Sequence, residues 1–267
     1  MRLVSLTPSN TEIVHALGLD RFLVGVDDHS DYPPEVVGDL PRVGPDLQID
    51  IDRAAALKPD LILASLSVPG MERNVEQLVE RGLRHIVLNA LSMEEVFADI
   101  LWVARETGSE ERGLQVVSRM KERLAAVSGE VEKLRAGRPP VNLFWEWWPK
   151  PLITPGRQSW INDVCRIAGA RNIFEDLDAA SQPVESETVV ARSPDAVVLC
   201  WCGTLQPMMD PERVRQRPGW AGLAAVRDDR IFALPEELFG RPGPRLVEGA
   251  EILAGILYGA GEARLNS

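Results

Sequence analysis

The chain has 267 residues, of which 45% are hydrophobic and 26% charged, and a net charge of −11. That length suits one large domain or two small ones, and the composition is that of an ordinary globular protein. The acidic balance repels phosphate backbones and so argues against a nucleic-acid partner. No apolar run reaches the roughly 18 residues that cross a bilayer.

The chain opens with Met1-Arg2 and enters the strand-like run Leu3 to Leu6 directly, without the pattern of a secretory signal. A cytoplasmic location and a mature form with an added Met both fit that opening. Pro8 begins a helix that ends at Gly18, with Ser9 and Glu12 at capping-box spacing. Phe22 to Val26 reads as a strand, followed by a polar loop from Asp27 to Pro34. Ile51 to Leu57 reads as a helix. Lys58-Pro59-Asp60 then turns into the strand Leu61 to Ala64. A helix over Glu72 to Glu80, a strand over Ile86 to Leu88 and a helix from Ser92 to Glu106 complete an alternating α/β pattern.

From Ser109 to Ala136 there is no proline. Leu114, Val117, Met120, Leu124, Val127, Val131 and Leu134 fall on one helix face. At about 1.5 Å per residue such a helix is roughly 40 Å long, more than one small lobe needs. It reads as either a long packing helix or a strut. After Pro139-Pro140 the α/β pattern restarts, and two segments echo the first half. Ala54 to Ala64 is repeated by Val189 to Leu199 around a second Pro-Asp, Pro194-Asp195. Ile13 to Val26 is repeated more weakly by Val164 to Phe174. The expected organisation is therefore an N-terminal α/β lobe (1–108), a connecting helix (109–137) and a C-terminal α/β lobe (138–267).

Three of the seven tryptophans lie in the segment Phe144-Trp145-Glu146-Trp147-Trp148. A strand ends there, where open α/β sheets bind ligands, and alternation sets Trp145 and Trp147 on one face. Flat aromatics at that place suit a large flat ligand, as does Trp201 after the second Pro-Asp strand. An aromatic mini-core under the loop is the competing reading. Trp160 is expected to open a helix, and Trp102 and Trp220 to pack. His15 and His85 read as structural, while His29, in the polar loop, is a candidate ligand contact. Cys165, Cys200 and Cys202 lack a zinc pattern and read as small buried hydrophobes. There is no P-loop, dinucleotide fingerprint or nucleophile elbow.

Several segments together resemble a known family. They are Ser5-Leu6-Thr7-Pro8-Ser9-Asn10-Thr11-Glu12, Ser30-Asp31-Tyr32-Pro33-Pro34, Leu57-Lys58-Pro59-Asp60-Leu61, Glu72 to Leu78, Asn172-Ile173-Phe174 and Ala191-Arg192-Ser193-Pro194. Over nearly its whole length the chain is similar to the vitamin B12-binding proteins of ABC importers, within the helical-backbone receptors that also bind siderophores and haem. The resemblance implies a class III substrate-binding fold: two Rossmann-like α/β lobes joined by one long rigid helix, with the ligand in an aromatic inter-lobe cleft. It implies a non-enzymatic, monomeric receptor with no cofactor, whose ligand is cobalamin or another corrinoid.

On this resemblance Tyr32 lines the corrin pocket, joined by Trp145, Trp147, Trp201 and the candidate His29. Glu237 would accept from corrin amides and Phe239 would pack on the ring. The family's tryptophan before that Phe is Leu238 here. A further family tryptophan near Gly44-Pro45 is absent, and so is the family's second-lobe disulfide, whose first position is Ala168. Glu72 and Glu187 match the glutamates that dock onto arginines of the ABC permease. The alternatives are a haem or ferric-siderophore receptor of the same fold, or a cytoplasmic corrinoid carrier or enzyme subunit. A siderophore receptor should show arginines for the anionic chelate, for which Arg241 and Arg245 are the obvious pair.

Overall fold

The computed structural model describes residues 1–259. Positions 260–267, at the end of the expected second lobe, lie outside the described residues. The chain separates into two compact units. One comprises residues 1–90, 94–120 and 241–244. The other comprises 91–93, 121–240 and the described chain from Arg245 onward.

The first unit begins with β1 (Leu3–Ser5), α1 (Pro8–Ala16), β2 (Leu23–Val26), α2 (Pro34–Val37) and α3 (Ile51–Ala56). It continues with β3 (Leu61–Ser65), α4 (Glu72–Glu80), β4 (His85–Leu88) and α5 (Met93–Glu106). Its four strands form a parallel sheet in the order β2-β1-β3-β4. Buried Val4, Leu6, Ile51, Ile62 and Leu78 make a core on one of its faces. The long helix α6 (Glu110–Arg135) follows. It is divided between the units: its residues to Met120 belong to the first and those from Lys121 to the second.

The second unit holds β5 (Val141–Glu146), β6 (Trp148–Pro149), β7 (Leu152–Pro155), α7 (Ile161–Ile167), β8 (Ala170–Asn172) and β9 (Ser181–Pro183). After these come α8 (Ser186–Arg192), β10 (Ala196–Leu199), α9 (Glu212–Arg215), α10 (Ala224–Arg227), β11 (Ile231–Ala233) and α11 (Leu246–Tyr258). Its main sheet runs β11-β10-β5-β8, also parallel, with a small antiparallel sheet β6-β7-β9 beside it.

The two sheets share one topology. Reading β5, β8, β10 and β11 as counterparts of β1, β2, β3 and β4 gives the same strand order. The echoed Pro-Asp segments occupy equivalent turns, and their geometry is the same. Lys58 and Ser193, each just before the proline, have φ of 49° and 50°. The Asp60 carboxylate accepts from the Arg2 N–H at 2.7 Å, and the Asp195 carboxylate from the Asn142 N–H at 2.8 Å. In return the Asp60 N–H donates to the Arg2 carbonyl and the Asp195 N–H to the Asn142 carbonyl, each at 2.8 Å. Each aspartate thus satisfies a donor at the entrance of the neighbouring strand and pins its register.

Several local expectations are corrected. Ser9 and Glu12 do not form a capping box. The helix starts at Pro8 after Thr7, with no side-chain cap, and Glu12 is buried instead. Along α6 the buried face is Val116, Val117, Met120, Leu124, Val127 and Val131, while Leu114 and Leu134 are exposed. The apolar stripe drifts out of contact at both helix ends. Trp102 is 38% exposed and does not pack as a core residue, whereas Trp220 is fully buried. Cys165 and Cys200 are buried, and burial pushes both thiols up. Cys202 is exposed, because β10 ends at Leu199 and alternation no longer holds there.

Candidate functional site

In the first unit the carboxyl ends of β1 and β2 are hydroxyl-rich. Thr11 Oγ1 donates to Ser5 Oγ at 2.8 Å and lies 2.7 Å from Ser30 Oγ, which donates to Asp27 at 2.5 Å. Burial pushes the Asp27 carboxyl above its usual range, against the hydrogen bonds from Ser30 and the His29 N–H that pull it down. Arg42 closes this cluster by donating to the carbonyls of Asp27 and Ser30 at 2.9 and 2.6 Å.

The network anchors the loop that carries Tyr32. Asp31, next to it, accepts both Arg241 Nη donors at 2.6 and 3.1 Å. Arg241 also reaches the buried Glu12 at 3.3 Å. The bidentate fork gives the loop a fixed orientation. Tyr32 is half-buried and meets His15 edge-on, with ring centroids 5.7 Å apart. His29 is exposed and 3.8 Å from Asp46. The structure therefore keeps both expected residues of this loop with free surface.

The second unit is aromatic at the equivalent strand end. Trp145 packs on Phe239 at 5.3 Å, Trp160 donates its Nε1–H to the Phe239 carbonyl at 2.7 Å, and Trp147 stacks at a tilt on Trp160 at 5.8 Å. Trp147 is half-buried and Trp148 is 42% exposed. Glu237 is half-buried on the short turn after β11.

Three of the expected contacts differ. Trp145, Trp201 and Phe239 are 0%, 4% and 0% exposed. Strands β5 and β10 are the two central strands of their sheet, so both of their faces are covered as far as their last residues. Trp201 belongs to the core with Phe144, Phe174 and Trp220. These three side chains support the strand end and offer no surface of their own.

Glu146, at the end of β5, has a partner that the sequence does not show. It is fully buried and takes both Arg217 donors at 2.5 and 2.9 Å, with Trp201 Nε1 donating at 3.0 Å. Arg217 in turn lies over Trp220, whose Nε1–H donates to Ser186 at 2.7 Å. Glu72 and Glu187 are both exposed in the first turns of α4 and α8. Among the described residues no group of three or more His, Cys, Asp or Glu converges as a metal site.

Each unit is built on a parallel sheet, and the long helix α6 is divided between the two. The chain belongs to the periplasmic binding protein family, which it matches over residues 3–238. Its class is that of the substrate-binding proteins of ABC importers. A Bacillus subtilis protein named as an uncharacterized ABC transporter substrate-binding lipoprotein, YvrC, is 32% identical over 260 residues, 96% of this chain and 80% of that one. The periplasmic vitamin B12-binding protein BtuF of Vibrio cholerae has a similar structure, with a TM-score of 0.79 and 28% identity over 97% of both chains. A periplasmic haem-binding protein of Pseudomonas aeruginosa has a TM-score of 0.81 and 27% identity, covering 97% of this chain and 93% of that one.

Proposed function

We propose that this protein reversibly binds cobalamin or a related corrinoid, without catalysis, and delivers it to an ABC permease. The observation that carries the reading is the Ser30–Pro34 loop, which keeps Tyr32 half-exposed while its own Asp31 occupies Arg241. Tyr32, Trp147, Glu237 and His29 are the ligand contacts in this reading. The aromatic faces pack on the macrocycle, and Glu237 accepts from its amide N–H groups. Trp145, Trp201 and Phe239 hold the aromatic end in place from beneath.

The arginines weigh against a ferric siderophore. Arg241 is matched by Asp31 and Glu12, and Arg245 lies 3.7 Å from Glu248, so neither brings uncompensated charge to an anionic chelate. Haem is the second reading. It draws on the haem-binding neighbour at comparable similarity, and Tyr32 is the side chain that would supply an axial oxygen. Docking is assigned to Glu72 and Glu187, exposed acids that can meet permease arginines.

Calorimetry with cyanocobalamin, cobinamide, haemin and a ferric siderophore tests the ligand. Binding of a corrinoid is expected, and binding of haemin or the siderophore alone would overturn the reading. Tyr32→Ala and Trp147→Ala should each weaken corrinoid binding by roughly tenfold, the loss of one well-packed aromatic contact. Glu72→Ala and Glu187→Ala should leave that affinity unchanged and reduce capture by the permease.

A further inference from the structure

At the amino ends of β5 and β11 the second unit has a cavity of about 600 Å³. Leu134, Pro139 and Leu257 form its apolar wall, and Arg138, Arg230 and Tyr258 its polar one. The Tyr258 hydroxyl donates to the Gly169 carbonyl at 2.7 Å. Burial pushes this hydroxyl above its usual range, while Arg135, Arg138 and Arg230 all pull the other way. Three guanidinium groups therefore act on one oxygen at this end of the sheet.

Many arginines of this acidic chain are matched by carboxylates, as in Arg123–Glu251, Arg171–Glu175 and Arg215–Asp229. The cavity is different. Among the described residues Arg138 donates only to carbonyls, those of Arg135 and Leu134, at 3.1 and 2.9 Å. Arg230 makes no ion pair among the described residues. Arg135 is paired with Glu132 at 3.1 Å, yet its Nε is buried with no hydrogen-bond partner among the described residues. Among the described residues two uncompensated cations thus face a half-apolar space, in a protein whose net charge is −11.

We propose that this cavity is a second binding site, specific for a phosphate monoester. The phosphate dianion matches the two uncompensated charges, and guanidinium forks suit its oxygens. The ester's carbon portion lies on Leu134, Pro139 and Leu257. The site is at the opposite end of the strand from Trp147, so it does not compete with the contacts assigned above to the transported ligand.

Calorimetry at low salt with phenyl phosphate, and with vesicles containing phosphatidic acid, whose headgroup is itself a phosphate monoester, separates a free ester from a lipid headgroup. Phenyl phosphate should bind, and Arg230→Gln or Arg138→Gln should each weaken it about tenfold, the worth of one charge-assisted hydrogen bond. Arg73→Gln removes the same charge from exposed α4 and should change nothing. Vesicle binding alone, lost in Arg230→Gln, keeps the site and assigns it to a headgroup. No binding of either probe up to about 10 mM phosphate overturns the proposal. So does equal weakening by Arg73→Gln. Thermal melts of all three variants show that each is folded.

Discussion

The two units have the same strand order and opposite chemistry at their strand ends. Asp60 meets Arg2 as Asp195 meets Asn142, which aligns Leu3 with Leu143 and therefore Ser5 with Trp145 and Thr7 with Trp147. At matching positions the first unit has the hydroxyls of a buried polar network and the second has indoles. What the units share lies at the amino ends of the strands, in the turns that set register. What they do not share lies at the carboxyl ends, where a receptor of this architecture meets its ligand.

The largest expected effect probes the buried Glu146–Arg217 pair of the second unit. Arg217→Ala leaves Glu146 fully buried and without its cation. It should cost about 3 to 5 kcal/mol in denaturant unfolding. Replacing both partners with leucine should recover much of that loss, and a double variant as unstable as the single one would contradict this account.

The next effect tests the shared framework directly. Asp60→Ala and Asp195→Ala each remove an acceptor for a strand-entry N–H, and each should lower stability by about 1 to 2 kcal/mol. Because the geometry is the same, the two losses should agree. A large difference would show that the two turns are equal in shape only.

The smallest effect is a pH dependence of the first unit. Burial raises the Asp99 carboxyl to about 6, against backbone hydrogen bonds from Ala90 and Asn89 that lower it. Between about pH 4 and 6 the folded state keeps a proton that the unfolded chain has released, so this group's contribution to stability falls as pH rises. Asp99→Asn should remove that slope and add about 1 kcal/mol at pH 7, after allowance for its partial exposure. An unchanged pH profile of unfolding would remove Asp99 from the account.

Much of the framework was legible because it is written locally. Glu72–Glu80 is bounded as read from the sequence, and the Pro-Asp echoes mark equivalent turns. The site was legible in kind but not in exposure. Trp145 lies on β5 and Trp201 just past β10, and the alternation read from sequence cannot tell that these are central strands covered on both faces. The polar partners were not legible at all. Glu146 and Arg217 are 71 positions apart, and Asp31 and Arg241 are 210 apart. Only the folded chain brings them together.

The paired aspartate turns also bear on how such a chain could change over time. Each holds a strand by its entrance, a full strand length away from the end that differs. A duplicated half-gene could then exchange serine for tryptophan at one end while the same carboxylate kept the backbone in step at the other. The turn is a fixed point about which one architecture carries two different surfaces.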